Sequence, residues 1–345
     1  MLLDQRPAPV VLAPLAGGPS TPELCAAVSE AGGLGFLAAG YLPTAEVATR
    51  IGRTRELTSL PFGVNLFAPG PAGDEVAVQT YARRLEHESA TTGVTLGSPG
   101  ADDDEWSAKL DLLTESPVPL VSFTFGCPAP EVVDRLHDVG TEVWVTVTSP
   151  AEADLAQRAG ADAVVVQGME AGGHRGGFTD DEDALGLLAL LQRVGAVTSL
   201  PFVAAGGIMS GAGLAAALAA GARAGALGTA FLRCPEAGTS TVHRDALAQD
   251  RPTALTRAFT GRLARGVRNR FLDEHSAAAP AAYPQVHHLT APLRAHGRKV
   301  GDPDLVNLWA GQAYPLATEE PAGGVVRRVV REARAALDDA QRILG

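Results

Sequence analysis

Residues 201–230 read PFVAAGGIMSGAGLAAALAAGARAGALGTA. Every position from Phe202 to Ala205 is apolar, and the run stops at Gly206 and Gly207. Ser210 then opens an alanine-rich stretch that closes at Gly221, ahead of a second apolar run, Ala224 to Leu227. Consecutive rather than alternating apolar positions mark strands buried on both faces, and a helix between two of them predicts parallel pairing.

Six further runs precede this unit: Val10 to Leu12, Leu34 to Ala38, Phe62 to Leu66, Pro119 to Phe125, Glu142 to Val147 and Ala163 to Gln167. Between them lie helix signals. Thr21 with Pro22 reads as an N-cap and first helical residue, while Ser149, Pro150 and Glu152 combine an N1 proline with a capping box. Gly33, Gly140, Gly160 and Gly221 stand at helix-to-strand joints. Eight strand–helix units ending near Thr229 predict an α/β fold, a (β/α)8 barrel of the TIM type. The rival is an open doubly wound sheet. Against it, no G-x-G-x-x-G follows the first run, where Ala16, Gly17 and Gly18 lead into Pro19.

The chain divides into a barrel over 1–232, with a long insertion after the third strand at 68–117, and a C-terminal helical appendage over 233–345 expected to pack across the barrel mouth. The insertion carries a polar amphipathic helix from about Asp74 to Ser89. Its acidic run, Asp102 to Glu105, reads as a solvated face rather than a metal site. A last surface-docked helix is expected over Gly324 to Ile343.

Composition narrows the function. Of 345 residues, 46% are hydrophobic and 19% charged, which excludes a disordered chain. The net charge of −11, without a Lys/Arg run, argues against nucleic acid. Cys25, Cys127 and Cys234 are too dispersed for a disulfide framework or paired metal ligands, which suits a reducing cytoplasm. The N-terminus lacks an apolar signal core, and the longest apolar stretch, Gly211 to Ala222, is too short to span a membrane.

The chemistry concentrates at strand ends. Past Gln167, His174 and Arg175 sit among Gly168, Gly172, Gly173, Gly176 and Gly177, where backbone can approach a flat ligand and a histidine can act as a general base. Gly206, Gly207, Gly228 and Thr229 end the seventh and eighth strands, the usual place for a phosphate in such barrels, with a helix N-terminus starting near Ser210. Asn65 and Gln167 offer amides suited to a ring edge that presents both donors and acceptors.

Together the runs Ala13 to Gly18, Phe62 to Phe67, Gln167 to Gly176, Ala204 to Ile208 and Gly228 to Pro235 resemble the nitronate monooxygenases, and the similarity extends through Phe259 to Asn269, Tyr283 to Arg294 and Trp309 to Gln312. The resemblance implies a barrel holding FMN noncovalently and oxidising alkyl nitronates with dioxygen to carbonyl compounds and nitrite. It implies no metal. The partners expected are a small-molecule nitronate and dioxygen, with no nucleic acid and no membrane, and the chain is expected to be a monomer or homodimer. Asn65, Gln167 and Gly172 match positions around the flavin ring. Gly206, Gly207, Gly228 and Thr229 match the phosphate ends. Ala13, Leu15 and Leu227 are further cofactor-binding candidates, and His174 matches the active-site histidine. Leu15 stands where methionine is common, and Ala226 where glutamine is common, which removes one side-chain contact to the cofactor.

Two rivals are an NAD(P)H-dependent flavin reductase of the enoyl-acyl-carrier-protein or quinone type, and a flavin-free phosphate-binding barrel. His287, His288 and His296 read as structural rather than metal-binding. Tyr283, Trp309 and Gln312 either line the substrate cavity or pack.

Overall fold

The computed structural model describes residues 1–180 and 184–344. Its strands are β1 (Val10–Leu12), β2 (Gly35–Ala38), β3 (Phe62–Phe67), β4 (Leu120–Thr124), β5 (Glu142–Val147), β6 (Ala163–Gln167), β7 (Gly173–His174), β8 (Phe202–Ala205), β9 (Ala224–Leu227), β10 (Thr253–Thr256) and β11 (Ala264–Val267). Eight of them form one sheet in the order β1-β9-β8-β6-β5-β4-β3-β2, with every pair parallel. A parallel bridge between Val11 and Leu34 joins its ends. This is the (β/α)8 barrel expected from the apolar runs, whose ends move by a residue or two. Leu34, for example, serves as the closing bridge, and Phe125 leaves β4 with a left-handed φ of 77°.

Side chains alternate between the barrel interior and the strand–helix layer. Val11, Phe36, Leu120, Trp144, Val203, Ala205, Ala224 and Ala226 form one interior cluster. Phe36 and Trp144 meet with ring centroids 5.9 Å apart, whereas β8 and β9 contribute alanines. The barrel is therefore filled on one side and roomy on the other. Leu227 points the opposite way: it is fully buried in the outer layer, in one cluster with Leu214, and does not line the cavity described below. The expectation that Leu227 is cofactor-binding finds no support in its side chain, which that alternation turns away from the cavity.

Local signals behave as their chemistry dictates. Thr21 Oγ1 accepts from Leu24 N at 3.0 Å, and Ser149 Oγ accepts from Glu152 N at 3.2 Å. The second half of the capping box is not made. The Glu152 carboxylate instead accepts from Thr148 N and Phe178 N, which ties the loop after β6 to the barrel. The insertion helix expected over Asp74 to Ser89 is two helices, Glu75–Arg84 and Glu86–Thr92, meeting at Leu85. Within the acidic run, Asp104 is not simply solvated. It pairs at 2.8 Å with the fully buried Lys109 and accepts from Tyr41 N at 2.9 Å.

Beyond the barrel, β10, β11 and β7 form an antiparallel sheet. The final helix, Ala322–Leu344, lies on the outside of the barrel against the helix Gly211–Ala219. Contact is close at Gly211, where a Cβ would collide with Glu332 Cβ and Ala333 N. Glu332 also accepts from Gly211 N at 3.0 Å, so a side chain of this protein occupies the first N–H of the helix expected to face a phosphate. Overpacking costs about 1–3 kcal/mol. Gly211→Val should therefore lower stability by that order in chemical denaturation, while Gly213→Ala should change it far less, since a Cβ at Gly213 meets nothing closer than 3.7 Å.

Candidate active site

A cavity of about 550 Å³ opens at the C-terminal ends of the barrel strands. Among its lining residues are Ala13, Leu15, Asn65, Gln167, Gly172, His174, Gly206, Gly207, Gly228 and Thr229, so ten of the eleven sequence candidates converge there. The region after the barrel adds Thr260, His287, Arg294 and Trp309.

Asn65, 1% exposed, donates through Nδ2 to Ser122 Oγ at 2.9 Å and Thr124 Oγ1 at 3.0 Å, and Thr124 meets Thr146 hydroxyl to hydroxyl at 3.3 Å. β3, β4 and β5 thus give the cavity a polar floor. Gln167 has a different task from the one its amide suggested: Nε2 donates to His174 O at 3.0 Å and Oε1 accepts from Gly176 N at 2.8 Å. It clamps the glycine-rich segment. Gly172 is required by packing, since a Cβ would collide with Ala310 and Gly311. Thr229 Oγ1 accepts from Gly311 N at 3.1 Å.

The backbone N–H groups of Gly206, Gly207 and Gly228 donate to no acceptor among the described residues. Gly206 and Gly207 have φ of 114° and 70°, which side-chain-bearing residues rarely adopt. Unpaired N–H groups on a cavity wall suit an anion.

His174 is held on three sides. Its strand β7 pairs with β11, His174 opposite Ala264; its Nε2 lies 2.9 Å from Thr260 Oγ1; and its ring meets Phe125, Tyr283 and Trp309 edge-on at 5.6, 5.9 and 5.5 Å. Thr260 Oγ1 also lies 3.2 Å from Arg262 O, which can only accept. If the hydroxyl proton goes to that carbonyl, Nε2 of His174 carries the imidazole proton and Nδ1 the lone pair. Burial, with Arg262 and Arg294 nearby, pushes the His174 pKa down to about 3, so the ring is neutral at pH 7.

Two aromatic residues that line the cavity have unusual backbones. Tyr41 and Phe125 take φ of 67° and 77°, positions costly for bulky side chains and concentrated at functional sites. Each N–H is anchored, Tyr41 N to Asp104 Oδ1 and Phe125 N to Gly176 O at 3.1 Å. Tyr41 stacks on His287 at 4.0 Å and 5°, and Arg262 lies 4.2 Å over the Phe125 ring. Trp309 lines the cavity; Tyr283 packs behind Phe125 and His174, and Gln312 is exposed. His288 pairs with Asp102 at 2.6 Å rather than facing the cavity. Tyr41, Thr260 and Arg294 were not among the sequence candidates. Their only trace was membership of segments flanking the motifs.

A barrel with a polar floor, an anion cradle and a neutral histidine under aromatic cover is the framework of a TIM-barrel oxidoreductase. The family model for nitronate monooxygenase matches residues 3–332, and this chain belongs to that family. A probable nitronate monooxygenase of Staphylococcus aureus (strain Newman) is 35% identical over 339 residues, 94% of each chain. Nitroalkane oxidase from Streptomyces ansochromogenes is 50% identical with a TM-score of 0.96, covering 98% of this chain and 99% of that one. FabK from Thermotoga maritima is more distant, at 27% identity and a TM-score of 0.78, covering 99% and 97%. No helix among the described residues is long and apolar enough to cross a membrane.

The tautomer assignment is measurable. Nitrogen-15 shifts of His174 should report the Nε2–H form in the parent protein and a mixture of tautomers in Thr260→Val. Thr260→Ser should restore the parent spectrum, and an unchanged spectrum in Thr260→Val would remove Thr260 from this role.

Proposed function

We propose that this protein oxidises alkyl nitronates with dioxygen, using FMN, to carbonyl compounds and nitrite. Two nitronates and one dioxygen give two carbonyl compounds and two nitrites, a balance that needs no further reductant. The observation that carries the reading is that unpaired N–H groups at Gly206, Gly207 and Gly228 line the same cavity as a neutral imidazole and a buried arginine, Arg294. The cradle at Gly206, Gly207 and Gly228 suits the FMN phosphate, and Asn65 with the small side chains Ala13, Ala205 and Ala226 leaves room for a flat ring system. Bound FMN would supply the electron-accepting chemistry of the reaction.

The protein's own contribution is positioning and charge. A nitronate is already an anion, so it needs a screened, cationic pocket rather than a base. A neutral nitroalkane must first lose its α-proton, and the Nδ1 lone pair of His174 is the group available to take it. The proton then sits on an imidazole beside a newly formed anion, which offsets the burial and the repulsion from Arg262 and Arg294 that keep the free ring neutral.

His174→Asn should reduce nitroalkane turnover by about 10²–10⁴-fold, the usual worth of a general base, and nitronate turnover far less. Equal losses on both substrates would eliminate the base role. Because the free His174 is already deprotonated far below pH 6.5, kcat/KM for a nitroalkane should show no acid limb near 6.5 between pH 5 and 8. A limb there, absent in His174→Asn, would contradict the neutral-ring assignment.

The likeness to FabK sustains one second reading, an NAD(P)H-dependent reductase. Anaerobic mixing separates the two. Bleaching of the flavin spectrum by ethyl nitronate without NADH supports the oxidase, whereas bleaching by NADH alone, with nitronate inert, supports the reductase.

A further inference from the structure

We infer that Arg294 is the anion-holding group of the substrate cavity, and that it sets the preference for a planar oxyanion such as a nitronate over its neutral nitroalkane. The inference rests on the nitronate reading for the identity of the substrate, but the anion site itself stands on geometry.

The helix Gln285–Val300 turns one face to the cavity, because His287, Ala291, Arg294 and Arg298 follow the three- and four-residue spacing of a helical stripe and all four line it. Arg294 is 6% exposed. Its Nε donates to Thr290 Oγ1 at 3.0 Å and its Nη2 to His287 O at 2.7 Å, with His287 Nδ1 at 3.3 Å. Thr290 in turn donates to Phe259 O, and His287 is held by its stack on Tyr41. The guanidinium is thus fixed by acceptors that are all neutral. Nη1 donates to no acceptor among the described residues, and no carboxylate lies within ion-pair distance.

A buried cation without a counter-ion is costly, and proteins keep such groups where a ligand supplies the missing charge. The other buried arginines nearby are committed elsewhere. Arg262 donates to the carbonyls of Arg175 and Gly177 with Asp180 in its surroundings, and Arg265 donates to Met169 O and Thr253 Oγ1. Arg294 instead faces Arg298, a second cavity-lining cation, and the rings of Tyr41 and Tyr283. Arg294 and His174 line the same cavity, so an anion held by the guanidinium would share it with the imidazole. A guanidinium fork matches two oxygens on one planar centre, which a nitronate presents with a full negative charge and a nitroalkane without one.

The experiment uses inorganic nitrate as the probe, a planar oxyanion that undergoes no turnover here. Isothermal calorimetry on the flavin-loaded protein should show nitrate binding, weakened at least about tenfold in Arg294→Gln, which keeps a donor toward Thr290, and by less in Arg294→Lys, which keeps the charge but loses the fork. In parallel, KM for ethyl nitronate should rise by a similar factor in Arg294→Gln with kcat nearly unchanged, and KM for nitroethane should stay near the parent value. Arg294→Lys guards against a folding defect in the glutamine variant. Absent nitrate binding in the parent protein, or equal nitrate affinity in parent and Arg294→Gln, overturns the inference. If nitrate binding depends on Arg294 while the parent protein fails to oxidise nitronate, the anion site stands and the proposed activity falls. If nitronate is oxidised with KM unmoved in Arg294→Gln, the activity stands and the inference falls.

Discussion

The site depends on how the segment 173–176 is held. Its residues lie past the end of β6, where a glycine-rich chain would otherwise be free to wander, yet four contacts pin it. β7 pairs with β11, Gln167 grips His174 O and Gly176 N with the two ends of one amide, Phe125 N donates to Gly176 O, and Arg262 donates to the carbonyls of Arg175 and Gly177. Three of these partners come from barrel strand ends or from the strand pair that follows the barrel. The histidine therefore hangs between the two parts of the chain, and cavity geometry follows from their docking. Glu152 extends the same logic by taking Phe178 N in place of its own helix cap.

The strained aromatic residues are a consequence of that arrangement. Tyr41 and Phe125 both sit just past strand ends in left-handed conformations, and each is anchored by its N–H, one to the buried Asp104–Lys109 pair of the insertion and one to the histidine segment. The insertion is thereby coupled to the cavity through Asp104, and Asp102 adds a second tie through His288 on the helix Gln285–Val300. Such strain persists only where surrounding contacts over-determine it. Here the stack of Tyr41 on His287 and the Arg262 guanidinium over Phe125 supply those contacts from the region after the barrel.

What could be read from the sequence is what is encoded locally. Buried parallel strands are apolar at consecutive positions, helix caps have their own chemistry, and glycines stand where backbone must turn or come close; hence the eight strands, Thr21, Ser149 and the convergence of Gly206, Gly207 and Gly228 on one cavity wall were all legible. Errors arose where a local rule met a tertiary partner. The helix after β8 offers an N-terminus, but Glu332, more than a hundred residues away, takes its first N–H. Asp104 belongs to an acidic run, but Lys109 and Tyr41 claim it. Leu227 follows the same strand as Ala226, but the pleat sends it outward. Arg294 and Thr260 have no local signature at all, because their meaning lies in what each lacks or passes on: a counter-ion in one case, a proton direction in the other.

Electrostatics then joins these pieces into one device. The cavity buries an imidazole near guanidinium groups; burial is the main reason that the ring is neutral, and repulsion from Arg262 and Arg294 adds to it. A bound anion would reduce the positive potential that Arg262 and Arg294 set up at His174, and so would make the ring a better proton acceptor. Anion binding and the proton affinity of His174 would thus be coupled through the charges of Arg262 and Arg294.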